Sequence, residues 1–259
     1  MIDTHSHLAD PQFDNDFSQM IQRAKAAGVE KAIVCAEFRS DFEKIMKLSE
    51  EYPDFIRAAI GVHPVQKESI SANWSHFVGV EEFLKENHKK LVAIGEVGLD
   101  FTPRYIKNDE EDKKVQREIL KKQIELANEY NLPVNVHSRS AGRPAISWLI
   151  ENGAKKVQMH AFSGNVKSAK EGIDAGFFFS IPPSFSLNEN EKIPLISAIP
   201  LTQLLLETDS PVLGPSKTKR NEPANIVHSA KLIAKAKNIS VEEVIEQTTK
   251  NAKTLYPLL

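Results

Sequence analysis

Six residues that could bind metal ions stand at the carboxyl ends of predicted β-strands. They are His5, His7, Glu96, His137, His160 and Asp209. His5 and His7 lie two residues apart in a strand, so both side chains point to the same face and could bind one ion. Imidazoles and carboxylates suit zinc, manganese or iron(II), and carboxylates tolerate magnesium. Six such ligands exceed one tetrahedral site and therefore predict two ions.

Two ions about 3.5–4 Å apart, joined by a bridging carboxylate, are typical of in-line hydrolysis. Glu96 is the expected bridge, because its strand lies between the two groups of histidines along the chain. The ions would lower the pKa of a shared water and stabilise the leaving oxygen. Each motif is weak evidence alone, since a histidine at a strand end is often only a hydrogen-bonded rim residue. The prediction rests on their convergence.

The chain must therefore carry strands whose carboxyl ends meet. Short apolar segments rich in β-branched residues recur at eight places, and helical patterns separate them. The predicted strands are residues 1–7, 31–36, 56–61, 91–96, 134–137, 157–160, 177–181 and 204–209. This alternation predicts a single α/β domain over residues 1–259, a (β/α)8 TIM barrel with the metal site at its C-terminal rim. An open doubly wound sheet is the alternative, and the sequence lacks its GxGxxG and GxxxxGK fingerprints.

Helical patterns fill the intervals, at residues 14–27, 111–130, 144–152 and 166–175. A further helix is expected to begin with Ser40 as its N-cap, and the last helix begins with a capping box made by Ser240 and Glu243. The segment 62–90 has no clear assignment.

Composition excludes several classes of protein. Apolar residues make up 41% and charged residues 26% of the 259 residues, which is typical of a globular protein and not of a disordered chain. The net charge of −2 gives no overall footprint for nucleic acid, so any site for a polyanion must be local. A single cysteine, Cys35, excludes an internal disulfide and favours the cytoplasm. No membrane association and no obligate protein partner are indicated.

Seven motifs together resemble the TatD family of metal-dependent deoxyribonucleases, among the amidohydrolase-like metal hydrolases. They are DTHSH at 3–7, GVHP at 61–64, GEVGLD at 95–100, HSR at 137–139, HAFSG at 160–164, ETDSP at 207–211 and RNEP at 220–223. The motifs occur in family order and extend over most of the chain, which makes the resemblance specific.

The resemblance implies a ligand set and roles. A first ion is held by His5, His7, Glu96 and Asp209, and a second by Glu96, His137 and His160. Asp209 orients the attacking water or takes its proton. His63 lies beside the ions, where it contacts phosphate or protonates the leaving oxygen. The implied cofactors are two divalent ions, Mg, Mn or Zn, and the implied substrate is DNA at its 3′ end, often single-stranded.

Basic residues follow several predicted strands and could bind phosphate. Arg139 follows the fifth strand and Arg220 follows the eighth, and a guanidinium presents a planar fork that matches phosphate oxygens. The alternative is solvated loop charge. The chain departs from the family pattern in two places. Val65 replaces a polar or basic residue. The charged segment 102–114 is expected to form an extended substrate-facing loop.

Three functions remain open from the sequence. The first is a two-metal phosphodiesterase acting as a 3′-to-5′ exodeoxyribonuclease, with Glu96 and Asp209 in catalysis. The second is a hydrolase of a small ester, amide or phosphoester at the same site, because a fold alone does not fix a substrate. The third is a metal-binding scaffold without turnover. The presence of Asp209 argues against it, because a purely structural metal site does not need an open position for hydrolysis.

Overall fold

Strands and helices alternate along residues 1–256, which the computed structural model describes. The strands are β1 (Ile2–Ser6), β2 (Lys31–Cys35), β3 (Ile56–Ala59), β4 (Val65–Gln66), β5 (Ile70–Ser71), β6 (Leu91–Gly98), β7 (Val134–His137), β8 (Val157–Met159), β9 (Phe178–Ile181) and β10 (Leu204–Leu206). The α-helices are α1 (Phe17–Ala26), α2 (Phe42–Glu51), α3 (Val80–Asn87), α4 (Asp109–Glu129), α5 (Gly142–Glu151), α6 (Val166–Asp174), α7 (Glu189–Ala198), α8 (Ile226–Lys237) and α9 (Val241–Leu255).

Eight strands form one parallel sheet in the order β1-β2-β3-β6-β7-β8-β9-β10. The first and last strands lie close together at their carboxyl ends, where the Asp209 N–H donates to the His5 carbonyl oxygen at 2.9 Å. The Thr4 hydroxyl donates to the Leu206 carbonyl oxygen, also at 2.9 Å. Helices connect successive strands of this sheet. The predicted (β/α)8 barrel is confirmed, and each of its strands begins within one residue of the predicted limit.

Apolar side chains pack the helices against the sheet, as their helical spacing predicts. In α2, Phe42, Ile45 and Met46 are buried on the face toward the strands. A smaller cluster, which includes Ile2 and Leu205, packs against Leu255 and Tyr256 at the end of α9. The last helix therefore covers the end of the barrel at which strands begin, opposite the metal-ligand candidates. Its predicted capping box is confirmed.

Sequence patterns missed several elements. The segment 62–90 contains the antiparallel pair β4–β5 and helix α3. Helices α7 and α8 were also not predicted, and Pro194 lies inside α7, where it obscures the usual helical pattern. These elements owe their conformation to packing against the barrel more than to a clear local signal.

The predicted helix at 111–130 is confirmed as α4, which begins two residues earlier, at Asp109. The expectation of an extended loop was therefore wrong for the second half of the segment 102–114. Four carboxylates occupy the first turn of this helix, where they interact favourably with the positive end of the helix dipole. These charges also make the 21-residue α4 strongly polar. Within residues 1–256, every helix is too short or too polar to span a lipid bilayer.

Candidate metal centre

The ends of five barrel strands bring all six predicted metal ligands together. Their side chains are buried, and they fall into overlapping groups whose nitrogen and oxygen atoms lie within 4.8 Å of one another. His5 lies in β1, Glu96 in β6 and His137 at the end of β7. The other three ligands follow β1, β8 and β10 directly or within three residues: His7, His160 and Asp209.

The first cluster has the dimensions of a tetrahedral ion site. His5 Nε2 lies 3.1 Å from His7 Nε2, 3.4 Å from Glu96 Oε2 and 3.3 Å from Asp209 Oδ1. His7 Nε2 lies 3.3 Å from the same Glu96 oxygen and 3.1 Å from the same Asp209 oxygen. Ligand atoms that lie about 2.0 Å from a tetrahedral zinc ion are about 3.3 Å from one another, and these five distances match that spacing. The four atoms could hold one divalent ion.

The other oxygen of Glu96 faces a second cluster. Glu96 Oε1 lies 2.8 Å from His137 Nδ1 and 3.3 Å from His160 Nε2. His63 Nε2 is slightly farther away, at 3.6 Å. One carboxylate thus contacts two separate groups of imidazole nitrogens with its two oxygens. This is the arrangement that a bridging ligand between two ions requires.

The two histidines of the first cluster are held from behind through their other ring nitrogens. His5 Nδ1 lies 2.8 Å from Asn135 Oδ1, and His7 Nδ1 lies 3.1 Å from the Cys35 carbonyl oxygen. Such partners orient a ligand ring and fix which nitrogen carries the proton. Because both partners here are acceptors, each Nδ1 donates and leaves Nε2 free to bind a metal ion.

The two histidines of the second cluster have carboxylate partners. His137 Nε2 donates to Asp100 Oδ2 at 3.0 Å, and His160 Nδ1 donates to Glu207 Oε2 at 3.3 Å. Sequence reasoning did not assign roles to Asn135, Asp100 or Glu207. Asp100 and Glu207 belong to the motifs GEVGLD and ETDSP. The available signal was that each is an acidic residue in the same motif as a predicted metal ligand.

The electrostatics of the cluster favour cations. Burial alone lowers the pKa of His137, but the hydrogen bonds with Asp100 and Glu96 raise it to about 9. Burial likewise opposes a charge on His7, and the carboxylates of Glu37 and Asp209 raise the pKa of this imidazole well above its usual range. The same carboxylates that stabilise these protons would stabilise metal ions. Metal binding at these imidazoles therefore displaces protons.

His63 has a different environment from the other histidines. Burial lowers its pKa to about 4, and the attraction of Glu96 only partly offsets this effect. Its Nδ1 lies 2.7 Å from the carbonyl oxygen of Val65. The ring is thereby fixed beside the second cluster with Nε2 toward Glu96.

Two adjoining cavities open onto the clusters. One of about 240 Å³ is lined by His63, Glu96 and Asp209, among others. The second, of about 330 Å³, shares His137, His160, Arg139 and Asp209 with the first and has Phe185, Val212 and Leu213 in its wall. A substrate could therefore reach both clusters from the same face of the barrel.

Glu37 is a cavity residue that the sequence analysis did not single out. It lies two residues after the end of β2 and lines the smaller cavity. Burial raises the pKa of its carboxyl group, and the nearby Glu96 and Asp209 add to this effect. Applying the strand-end rule to β2 as well as to the histidine-bearing strands was the signal that could have found it.

The structure brings one of the two predicted phosphate-binding arginines to the cavities. Arg139 lines both of them, and its Nε donates to Asp100 Oδ2 at 2.8 Å. Arg220 instead forms a two-point ion pair with Asp16, with both distances 2.8 Å, and stacks over the ring of Phe13. It is not among the residues that line either cavity. A substrate role for Arg220 stays a prediction.

Gly98 lets β6 approach the ligand strand β7. It pairs with His137 in the sheet, has φ of 143°, and a Cβ added to it would lie 2.0 Å from the His137 carbonyl oxygen. We expect Gly98→Ala to lower the free energy of unfolding by about 3 kcal/mol, through this overlap and the unfavourable φ. Urea denaturation measures the effect.

The matched control is Gly153→Ala. Gly153 also has a positive φ, 66°, but a Cβ there meets nothing within 4 Å. Only the conformational cost of about 1 kcal/mol is expected. Equal losses in the two variants would show that the contact with His137 does not matter.

Comparisons with known proteins agree with this fold and give the family of the chain. The sequence model of the family described as TatD related DNase matches residues 2–257. Deoxyribonuclease TATDN3 from Homo sapiens is 51% identical over 263 residues, covering 100% of this chain and 95% of that protein. The uncharacterized metal-dependent hydrolase YabD from Bacillus subtilis is 38% identical over 262 residues, covering 99% of this chain and 98% of that one.

A solved structure shows the same likeness in three dimensions. The crystal structure of YJJV, a TatD homologue from Escherichia coli K12, matches with a TM-score of 0.89 and 29% identity, covering 99% of this chain and 98% of that one. The barrel and its clustered histidines and carboxylates define a metal-dependent hydrolase that acts on ester bonds. Within that class, the chain belongs to the TatD-related DNase family.

Proposed function

We propose that this protein hydrolyses phosphodiester bonds of DNA with two divalent ions, as a 3′-to-5′ exonuclease that prefers single-stranded ends. The family and the name of the relative TATDN3 support DNA as the substrate. Arg139 beside the clusters supports recognition of a phosphate group. The single cysteine, buried and unpaired, is in keeping with a reducing cytoplasm as the place of action.

The observation that carries the two-ion proposal is the double contact of Glu96. Its Oε2 lies 3.4 and 3.3 Å from the Nε2 atoms of His5 and His7. Its Oε1 lies 2.8 Å from His137 Nδ1 and 3.3 Å from His160 Nε2. We assign the first ion to His5, His7, Glu96 and Asp209, and the second to Glu96, His137 and His160. Mg, Mn and Zn are all compatible with this donor set.

When bound, the ions would polarise the phosphoryl oxygens and lower the pKa of a water between them. Asp209 lines both cavities, so its carboxylate is placed to orient that water and accept its proton. Arg139 neutralises charge on the phosphate, and His63, beside Glu96 in the smaller cavity, contacts a phosphate or leaving-group oxygen.

End-labelled DNA tests this function. Single-stranded DNA labelled at its 3′ or its 5′ end is incubated with protein that has been chelated and then reloaded with Mg, Mn or Zn. We expect metal-dependent early release of the 3′ label. The Asp209→Asn variant controls for contaminating nucleases. Release of the 5′ label first would contradict the stated polarity, and no cleavage with any metal would contradict the DNA substrate.

A second candidate is hydrolysis of a small ester, amide or phosphoester. It is favoured by the apolar wall that Phe185, Val212 and Leu213 give to the larger cavity, since small-molecule sites are mostly apolar. Screening nitrophenyl esters and phosphoesters with the same reloaded protein separates this candidate from the first. Turnover of a small ester without DNA cleavage would favour it.

Replacing Arg139 by alanine is expected to raise KM for DNA about 10-fold with a smaller change in kcat, because a charge-assisted hydrogen bond to phosphate is lost. Steady-state kinetics on the labelled strand measure both constants. Arg143→Ala is the control, since Arg143 is 65% exposed and pairs with Glu171 outside the cavities. A fall in kcat alone would instead indicate that Arg139 acts through Asp100 and His137.

A further inference from the structure

Tyr256 reaches from the end of α9 into the interior of the barrel. Its side chain is fully buried. The hydroxyl donates to Gln158 Oε1 at 2.5 Å and accepts from Asn135 Nδ2 at 3.3 Å. Burial raises the pKa of this hydroxyl well above its usual range, so the group remains a donor. One phenol thus joins two buried amides that belong to neighbouring strands, β7 and β8.

The first amide leads to the first cluster. Asn135 Nδ2 also donates to the Thr4 carbonyl oxygen at 2.9 Å, which only accepts, so the amide has one possible orientation. Its Oδ1 therefore faces His5 Nδ1 at 2.8 Å and accepts the proton of that nitrogen. The neutral form of His5 therefore carries its one proton on Nδ1, and its Nε2 is directed at His7, Glu96 and Asp209.

The second amide leads to the second cluster. Gln158 Oε1 accepts the hydrogen bond of the Tyr256 hydroxyl, so Gln158 Nε2 donates to Ser180 Oγ at 2.8 Å. The Ser180 hydroxyl in turn donates to Glu207 Oε2 at 2.6 Å. That oxygen lies 3.3 Å from His160 Nδ1, and Glu207 Oε1 accepts from the Ala161 N–H at 2.8 Å.

Every hydrogen bond in the two paths has a defined direction. The phenol donates a hydrogen bond to one amide and accepts one from the other, and each path ends on the Nδ1–H of a histidine. In the neutral imidazoles the Nε2 atoms of both histidines therefore face the clusters as acceptors, which is the form a metal ion needs. All members of the network are buried, so water cannot readily replace a missing partner.

We propose that Tyr256 is a positioning residue for the metal centre, whose hydroxyl holds His5 and His160 in ion-binding orientation through Asn135 and Gln158. This inference rests on the proposed ion site. Removing the hydroxyl leaves Gln158 Oε1 and one Asn135 N–H without this partner. Asn135 keeps its bond to the Thr4 carbonyl oxygen but loses its second donated bond, and Gln158 loses the bond that sets the orientation of its amide. The ligand histidines thereby lose part of the support that fixes their orientation.

The test is metal affinity of Tyr256→Phe, which keeps the ring and removes only the hydroxyl. Zinc and manganese affinities are measured by competition with a chelating dye, on the full 259-residue chain. We expect affinity to fall about 10-fold, the lower end of the range for residues that support metal ligands. The rise in Tm on adding metal should shrink accordingly, because stabilisation depends on the ratio of ion concentration to Kd.

The matched control is Thr248→Val, on the same helix. Thr248 is also buried, and its hydroxyl donates to the Val244 carbonyl oxygen at 2.7 Å, away from the network. The Thr248→Val variant also loses a buried hydroxyl. Its Tm without metal is therefore expected to fall, while its metal affinity stays at the wild-type value. Each variant is compared with and without metal, so a general loss of stability does not affect the metal-induced rise in Tm.

Two results would overturn the inference. If Tyr256→Phe binds metal as tightly as wild type, the hydroxyl does not support the ligands, and its role is structural only. If Thr248→Val weakens metal binding equally, the loss comes from the packing of α9. Failure of the proposed site looks different, because then the wild-type protein itself binds no divalent ions, and the inference fails with it.

Discussion

Asp209→Asn is expected to lower kcat by about 10³-fold, within the usual contribution of general acid–base catalysis. The carboxylate oxygen Oδ1 lies 3.3 Å from His5 Nε2 and 3.1 Å from His7 Nε2, and an amide supplies neither its charge nor its basicity. Single-turnover cleavage of labelled DNA at saturating metal measures the loss.

The fold of this variant should persist, because the backbone holds the Asp209 segment. The Asp209 N–H bonds the His5 carbonyl oxygen, and Asp3 accepts from both the Thr208 N–H and the Thr208 hydroxyl. Circular dichroism should therefore match wild type. Asp174→Asn, which removes an exposed carboxylate paired with Lys170, is the control and should cleave normally. Turnover of Asp209→Asn within a few fold of wild type would rule out the proposed proton transfer.

Glu96→Gln is expected to reduce the number of bound ions from two to one and to lower kcat by about 10³-fold. A metal ion contributes several kcal/mol of charge stabilisation in the transition state, and each 1.36 kcal/mol is tenfold in rate. The amide has one oxygen where the carboxylate has two, so it can serve only one of the clusters. Native mass spectrometry counts the ions, and labelled DNA gives the rate.

The control for this charge removal is Glu171→Gln. Glu171 lies on α6 near the surface and pairs with Arg143 at 3.4 Å, so both ion count and rate should be unchanged. If Glu96→Gln keeps two tightly bound ions and a normal rate, Glu96 is not a bridge.

The strand-end rule explains why much of the site was accessible from sequence. Parallel strands in a barrel direct their carboxyl ends to one rim, so His137 and Glu96 could be placed near each other from the strand pattern alone. The rule does not reach residues inside the barrel. Asn135 and Tyr256 lie far apart in sequence, and only the closed barrel shows that the Tyr256 hydroxyl accepts a hydrogen bond from the Asn135 amide.

Charge in a loop was less informative. Arg139 and Arg220 were both predicted to bind phosphate, because each follows a barrel strand and belongs to a family motif. The structure separates them by their partners, since Asp16 from before α1 binds Arg220 away from the cavities. The partner of a long, flexible side chain depends on which groups lie near it in the folded protein, and spacing along the chain does not show this.

The fold was predictable where local patterns and barrel packing agree. Most of the eight barrel strands are rich in apolar residues, and the capping box of α9 is a local signal. Helix α3 has a left-handed glycine, Gly79, at its N-cap in place of a polar capping side chain, so its start carried little signal. The organisation of residues 1–259 as one domain stays a prediction.

The most direct test of the central claim is anomalous diffraction from crystals loaded with zinc or manganese. We predict two peaks per chain. One should lie among His5, His7 and Asp209 and the other between His137 and His160, with Glu96 contacting both. A single peak, or a pair of peaks that Glu96 does not join, would contradict the two-ion site.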